Sequence, residues 1–436
     1  MHDSIIFTLA LLVFGFGLLS RRLGRGVVTP PLAFVGFGML LAPQALATLG
    51  LTSPFEHLEH LEPTIHLLGE ITLIIVLFTD ATQMDLRALR KGFGLPVRLL
   101  AIGMPLTVAL GAALAAPLVP GLGIWEMALL GAVLAPTDAA LGQAVVTSDD
   151  VPLEVRQGLS AESGLNDGIA VPMVVIFASL AGIGEMVGGQ QQTAAECLVF
   201  AAEQVTLGPL AGGLVGLLAV FAMSWAIRRE AMEHAYQELA GIAIALLAYT
   251  LADSIGGNGF IAAFVAGLVL GNSKREEICS RLYDFAEAES QLLMLITFLL
   301  VGLGLAWPTL TASTPAAWFY ALLSLTLIRM LPVALALIGS DLPWRGRFFV
   351  GWFGPRGLAS ILFAILLIEE LPVPNASLLV EVVLLTVLLS VVAHGITAAP
   401  FARAYATSPE EPKALPPRER PSPVRKRGLM GPDQPR

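Results

Sequence analysis

Gln157–Pro172 reads QGLSAESGLNDGIAVP, and Gly131–Gln143 reads GAVLAPTDAALGQ. Both stretches lie inside long apolar runs, and together they carry Asp138, Glu162 and Asp167 to membrane depth. An ionisable side chain at a bilayer centre costs roughly 2.5–3.5 kcal/mol on insertion scales, so it marks an ion or proton pathway by default. The two stretches therefore point to ion transport, and the runs around them decide the fold.

The 436 residues are 56% hydrophobic and only 14% charged, with a mean hydropathy of +0.77. A soluble domain carries about 25% charged residues. The chain reads as an all-α polytopic membrane protein. A β-barrel is excluded, because the apolar runs are continuous rather than alternating. Cys197 and Cys279 are isolated and imply neither a disulfide framework nor a thiolate metal site. The first 26 residues lack the basic start of a signal peptide and read as a first span followed by its basic residues.

A span needs about 20 mostly apolar residues. That length, with Gly/Pro punctuation, predicts 13 segments: 4–20, 27–49, 63–83, 96–118, 124–147, 157–182, 198–227, 238–255, 258–271, 289–306, 315–339, 347–369 and 377–400. With this count, all but two of the 25 Lys and Arg fall on one side of the membrane. They follow the odd-numbered segments: Arg21, Arg22 and Arg25; Arg87, Arg90, Lys91 and Arg98; Arg156; Arg228 and Arg229; Lys274, Arg275 and Arg281; Arg345 and Arg347; and Arg403 with the tail. The positive-inside rule makes that side the cytoplasm. The expected protein is a multi-pass plasma (inner) membrane protein with its N-terminus outside and its C-terminus cytoplasmic. Residues 1–406 form the transmembrane domain. Residues 407–436 form a disordered, basic, Pro-rich tail, whose Arg425-Lys426-Arg427 run suits anionic lipid.

The two remaining basic residues, Arg329 and Arg356, sit inside apolar segments beside the acids. Pro136 interrupts the fifth segment just before Thr137-Asp138, and Gly354-Pro355-Arg356-Gly357 interrupts the twelfth. A proline inside a helix removes one hydrogen bond and frees a carbonyl. At membrane depth such backbone survives only inside protein or beside a cavity. Segments 4–6 and 11–13 run in opposite directions, each with a broken middle helix. That is the pattern of inverted-repeat transporters, whose site lies where the broken helices meet.

Ser163 and Asp167 are four residues apart and share a helix face, with Asn166 beside them. Glu162 is turned about 100° from Ser163 and is assigned to a structural ion pair with Arg356. Arg329 is a buried supporting charge for which the sequence names no partner. Hydroxyl, amide and carboxylate oxygens suit a small hard cation, not Zn²⁺ or Cu. Burial disfavours a carboxylate's charged form, so Asp167 is expected to hold either a proton or a cation, which couples the two fluxes. Asp80 and Glu70 each read equally well as pathway acids or interfacial ones.

These residues resemble the monovalent cation:proton antiporters of the NhaP type, the group that includes the animal sodium/proton exchangers. The carrying motifs are Ala135-Pro136-Thr137-Asp138, Glu162-Ser163-Gly164-Leu165-Asn166-Asp167-Gly168, Gly259-Phe260-Ile261-Ala262-Ala263-Phe264-Val265-Ala266-Gly267 and Gly354-Pro355-Arg356-Gly357. The resemblance covers roughly residues 1–405. It implies a homodimer of thirteen-helix subunits. A core of 96–182 and 315–400 would move like an elevator against a dimerisation part of 4–83 and 198–306. It implies Na⁺ at Asp167, Asp138, Thr137 and Ser163, with Asp80 matching an acid at the end of the third helix. It also implies the Glu162–Arg356 pair. Relatives that carry Asp-Asp where this chain has Asn166-Asp167 are electrogenic, so electroneutral exchange is expected. The family usually reads Thr-Asp-Pro, whereas Ala139 follows Asp138 here.

The expected activity is thus secondary exchange of Na⁺, with K⁺ or Li⁺ as alternatives, for H⁺, with no cofactor, no enzymatic activity and no nucleic acid partner. A cation-coupled solute symporter on the same architecture is the first rival. An intramembrane aspartyl protease using Asp138 and Asp167 is the second rival, but the chain lacks the Gly-x-Gly-Asp element that reading needs. A zinc protease reading of Glu56-His57-Leu58-Glu59-His60 fails, because its histidines are three rather than four residues apart. Asn375-Ala376-Ser377 is a bare glycosylation sequon.

Overall fold

Where apolar residues run unbroken the backbone closes its hydrogen bonds within the segment, as lipid demands. At Pro136 and at Gly354-Pro355 the helices stop, whereas Pro172, Pro209, Pro332 and Pro400 stand inside helices. The computed structural model describes residues 7, 10–18, 28–48, 50–51, 62–84, 86, 94–138, 141–146, 148, 151–187, 190–191, 193–273, 289–369 and 373–406. Arg21, Arg22, Arg25, the 56–60 motif, Arg87, Arg90, Lys91, Ala139, Lys274, Arg275, Cys279, Arg281 and the 407–436 tail lie outside the described residues.

A helical stretch at 10–18 precedes α1 (Pro30–Leu41), α2 (Pro43–Thr48) and α3 (Glu62–Gln83). The predicted fourth segment is α4 (Gly94–Leu118), which carries a π-helical turn at Leu99–Gly103. The fifth is split into α5 (Ile124–Val133) and α6 (Gln143–Val146). The sixth is α7 (Leu153–Ala181), followed by a two-residue strand pair, Met186–Val187 with Gln190–Gln191. Next come α8 (Ala194–Arg228), α9 (His234–Ser254), α10 (Gly259–Gly271) and α11 (Glu289–Ala312), with a second π-helical turn at Val301–Leu305. The last three segments are α12 (Pro315–Leu325) with α13 (Leu327–Ala336), α14 (Trp344–Trp352) with α15 (Leu358–Glu369), and α16 (Ala376–Ala406).

Among the described residues, six helices are long and apolar enough to cross a membrane: Gly94–Leu118, Glu154–Ala181, Ala194–Arg228, Glu289–Ala312, Pro315–Ala336 and Ala376–Tyr405. The protein is a multi-pass membrane protein. The breaks in segments 5 and 12 fall where the sequence predicts them. A further break, at Thr326 (φ −111°, ψ −94°), is not announced by Pro or Gly at that position.

Helices α3, α8, α9 and α10 pack together. Glycines let their backbones approach, as is common in membrane helix pairs. A Cβ at Gly212 or Gly271 would overlap the carbonyl of Ala262 or Thr82. On the other side, α4, α5 and α7 pack around one broken helix, and α12–α16 around the other. Leu99, Val155, Val333 and Phe349 join the two groups in one apolar cluster, closed by the Phe349–Tyr405 stack at 4.4 Å.

Candidate functional site

The two broken helices meet and serve each other's open ends. The last turn of α5 leaves the Val133 carbonyl without a helical donor, and Ser360 Oγ of α15 donates to it at 2.7 Å. In return, the Asp138 carboxylate (Oδ2) accepts the Leu358 N–H at the start of α15, at 2.9 Å. A carboxylate there satisfies an orphan donor and complements the positive end of the helix dipole. The Asp138 N–H also donates to the Pro355 carbonyl at 2.8 Å. Gly357 makes this approach possible, since a Cβ there would collide with the Asp138 carboxylate.

Beside this crossing, α7 presents Ser163, Asn166 and Asp167, all buried. Asn166 Nδ2 donates to Thr137 Oγ1 at 2.7 Å, and Thr137 Oγ1 lies 3.0 Å from Ser163 Oγ. The oxygens Asn166 Oδ1 and Asp167 Oδ1 are buried with no hydrogen-bond partner among the described residues. Buried polar atoms are nearly always satisfied, and exceptions mark strain, a functional role, or room for an ion or water. Thr79 Oγ1, Ser324 Oγ, Arg329 Nε and Arg356 Nε are in the same state. The carboxylate, amide and hydroxyl oxygens of Asp167, Asn166, Thr137 and Ser163 are hard donors, the chemistry that suits a small hard cation. Asp80, half-buried on α3, and Asp138 both act electrostatically on Asp167. The structure thus brings Thr137, Asp138, Ser163, Asn166, Asp167 and Asp80 into one neighbourhood.

The expected Glu162–Arg356 ion pair is corrected. Glu162 pairs with Arg329 instead, Oε1 with Nη1 at 2.7 Å and Oε2 with Nη2 at 2.9 Å. The planar guanidinium meets both carboxylate oxygens, the bidentate arrangement that Arg favours. Arg329 therefore has the partner that the sequence could not name. Arg356 is turned away because its guanidinium donates to backbone carbonyls, Nη1 to Gly354 at 2.9 Å and Nη2 to Ser324 at 3.5 Å. Gly354 packs directly on the Arg329 guanidinium, where any Cβ would collide.

Three further polar residues escaped the sequence reading. Glu126, inside the fifth segment, is buried and accepts the Gly123 N–H at 2.7 Å and the Asn375 N–H at 2.7 Å. Asn375 Nδ2 also donates to Glu126 Oε2 at 2.9 Å, so the sequon's amide is engaged in joining α5 to the start of α16. His394 and Ser390 of α16 are fully buried beside the second break. An acid and a histidine within apolar runs were the available signals. Glu70 accepts a hydrogen bond from the Tyr249 hydroxyl, and Asp253 is exposed at the end of α9.

Two broken helices, crossed beside a buried acid, are the architecture of the secondary transporters built from inverted repeats. The chain belongs to the sodium/hydrogen exchanger family: the profile "Sodium/hydrogen exchanger, transmembrane" matches residues 7–404. It is similar to the K(+)/H(+) antiporter NhaP of Alkalimonas amylolytica, 28% identical over 392 residues, 88% of this chain and 63% of that protein. It is also similar to the Na(+)/H(+) antiporter ApNhaP of Aphanothece halophytica, 28% identical over 331 residues, 73% of this chain and 61% of that protein. The chain spans less than two thirds of the length of these curated relatives. The solved structure of the sodium proton antiporter MjNhaP1 from Methanocaldococcus jannaschii at pH 8 shares the fold. The TM-score is 0.72 at 20% identity, covering 92% of this chain and all of that one.

Proposed function

We propose that the protein is a secondary antiporter that exchanges a monovalent cation for H⁺ across the membrane, with Asp167 binding the two in turn. The observation that carries this reading is the pair of buried, unspent oxygens, Asn166 Oδ1 and Asp167 Oδ1, beside the helix crossing. A protonated Asp167 is neutral and tolerates burial. An ionised Asp167 needs a compensating cation there, because an isolated buried charge is far too costly. Proton and cation are then mutually exclusive occupants, and alternating access turns that exclusion into exchange.

In this reading Thr137 and Ser163 add hydroxyl ligands and Asp138 adds negative potential while holding α15. Asp80 attracts the cation toward the site. Na⁺ is the first expectation, with K⁺ and Li⁺ as alternatives. The relatives' names include both Na(+)/H(+) and K(+)/H(+) antiporters. Asp167 is the one carboxylate of the Asn166-Asp167 pair, which supports electroneutral one-for-one exchange. The remaining expectations go with this reading: a homodimer, an elevator-like core of 96–182 and 315–400, and a cytoplasmic C-terminus.

The test is exchange in proteoliposomes carrying an imposed pH gradient, with Na⁺, K⁺ and Li⁺ added in turn. Wild type should dissipate the gradient on addition of at least one cation, and Asp167→Asn should not. Full activity in Asp167→Asn would remove Asp167 from the mechanism, and a membrane potential generated by turnover would reject electroneutrality.

A further inference from the structure

The break between α14 and α15 exposes more backbone than Asp138 covers. Helix α14 ends at Trp352 with its last carbonyls open, and residues 353–357 run unwound through the protein interior. Unsatisfied backbone at this depth costs several kcal/mol per group, so each open group needs a partner. Two of these partners come from a single face of α16, one turn apart: Ser390 and His394.

Their hydrogen bonds have a definite direction. The Arg356 N–H, in the unwound strand, donates to Ser390 Oγ at 2.7 Å. Ser390 Oγ lies 3.1 Å from His394 Nδ1. His394 Nε2 lies 2.9 Å from the Trp352 carbonyl, which can only accept. The Trp352 carbonyl also takes the Gly354 N–H at 2.9 Å. A proton on Nε2 satisfies this contact, whereas a proton on Nδ1 would leave the Nε2 lone pair facing the Trp352 carbonyl oxygen. With the proton on Nε2, Nδ1 is the acceptor, and the Ser390 hydroxyl is its donor. Nδ1 is also 3.0 Å from the Ser390 carbonyl, to which a neutral ring of this tautomer does not donate. A charged ring could, but it would add a third buried cation where Arg329 and Arg356 already act on it. The Trp352 ring lies against the imidazole, centroids 5.3 Å apart, and is itself held by Nε1–H donation to Thr397 Oγ1 at 3.0 Å.

We propose that His394, a neutral Nε2–H imidazole working through Ser390, is a positioning residue of the exchange site. It splints both sides of the 353–357 break, Trp352 on one side and Arg356 on the other. The Pro355 carbonyl between them receives the Asp138 N–H, and Leu358 just beyond donates to the Asp138 carboxylate. The splint thereby fixes where Asp138 stands relative to Asp167 without touching the cation. The proposal rests on the exchange reading and adds to it a residue in a helix that supplies no ligand.

The experiment compares wild type with Ser390→Ala, His394→Leu and His394→Gln in proteoliposomes. It reads the half-saturating cation concentration separately from the maximal rate, with melting temperature in detergent as the control for folding. Ser390→Ala and His394→Leu should raise half-saturation by about three- to tenfold, the range of one lost hydrogen bond. His394→Gln keeps a donor and an acceptor and should stay nearer wild type. If His394→Leu does not fold, the smaller Ser390→Ala decides. A ¹⁵N spectrum of labelled protein, differenced against His394→Gln, should show a ring protonated at Nε2 alone. Variants that melt earlier or turn over more slowly at unchanged half-saturation would make His394 merely structural and overturn the proposal, as would a ring protonated at Nδ1. A wild type without exchange would instead overturn the exchange reading, and the proposal with it.

Discussion

Glu162 and Arg329 each keep about 2% of their side-chain surface exposed, and they are joined through both carboxylate oxygens. In so dry a setting the pair matters less for the stability it adds than for the damage when it is broken. Removing one partner strands the other as an uncompensated buried charge, typically at 3–5 kcal/mol, whereas replacing both with apolar residues is often near neutral. Arg329→Met alone should therefore strongly lower the melting temperature in detergent. The double variant Glu162→Met/Arg329→Met should recover most of the loss. Equal melting of single and double variants would show that the pair is not the relevant unit. The sequence carried both charges and their cost but not their partnership. Arg329 and Arg356 are both plausible guanidinium donors in one dimension. Only the turn of Arg356 toward the Gly354 and Ser324 carbonyls assigns Glu162 to Arg329.

At the scale of elements, the interruptions at Pro136 and Gly354-Pro355 were legible because proline and glycine act locally. The Thr326 break was not, since no Pro or Gly stands there. The two π-helical turns had a signal that a reading by segment length passes over: Pro105 and Pro308 have no N–H for the carbonyls four residues earlier, Ala101 and Gly304, which lie inside those turns. Glycine has a second, positional meaning that the sequence alone cannot separate from the first. Gly212 and Gly213 are neighbours on α8 with opposite surroundings. A Cβ at Gly212 meets the Ala262 carbonyl and the Ala262 Cα at 2.7 Å, backbone that cannot step aside, whereas a Cβ at Gly213 meets nothing within 4 Å. Gly212→Ala should force α8 off α10 and destabilise by about 1–3 kcal/mol, the usual cost of overpacking. Gly213→Ala should be neutral or slightly stabilising, because alanine favours the helix. Melting curves of the two variants check this. A Gly212→Ala protein as stable as Gly213→Ala would mean that the α8–α10 crossing is not close-packed.

At the scale of the whole molecule, the predicted offset between segments 4–6 and 11–13 is seven segments, an odd number, so the two broken-helix groups are expected to run in opposite directions. The proposed site brings Asp138 and Asp167 of the broken-helix groups near Asp80 of α3, in the α3–α8–α9–α10 group. If exchange requires the first assembly to move against the second, contacts between them must break in each cycle, while contacts inside one assembly persist. The structure offers a pair of each kind. A Cβ at Gly69 of α3 would lie 3.0 Å from Leu362 Cδ2 of α15, a contact across the proposed division. A Cβ at Gly351 of α14 would lie 3.6 Å from Met330 Cβ of α13, within one assembly and inside the usual disulfide range of about 3.5–4.5 Å. With Cys197 and Cys279 replaced by alanine, Gly69→Cys/Leu362→Cys bridged by Hg²⁺ should stop exchange, and a thiol reductant should restore it. Oxidised Gly351→Cys/Met330→Cys should keep exchanging. If both bridges stop exchange, the moving boundary does not run between α3 and α15. If neither does, access alternates by local gating around Asp167, and the two assemblies are one body throughout the cycle.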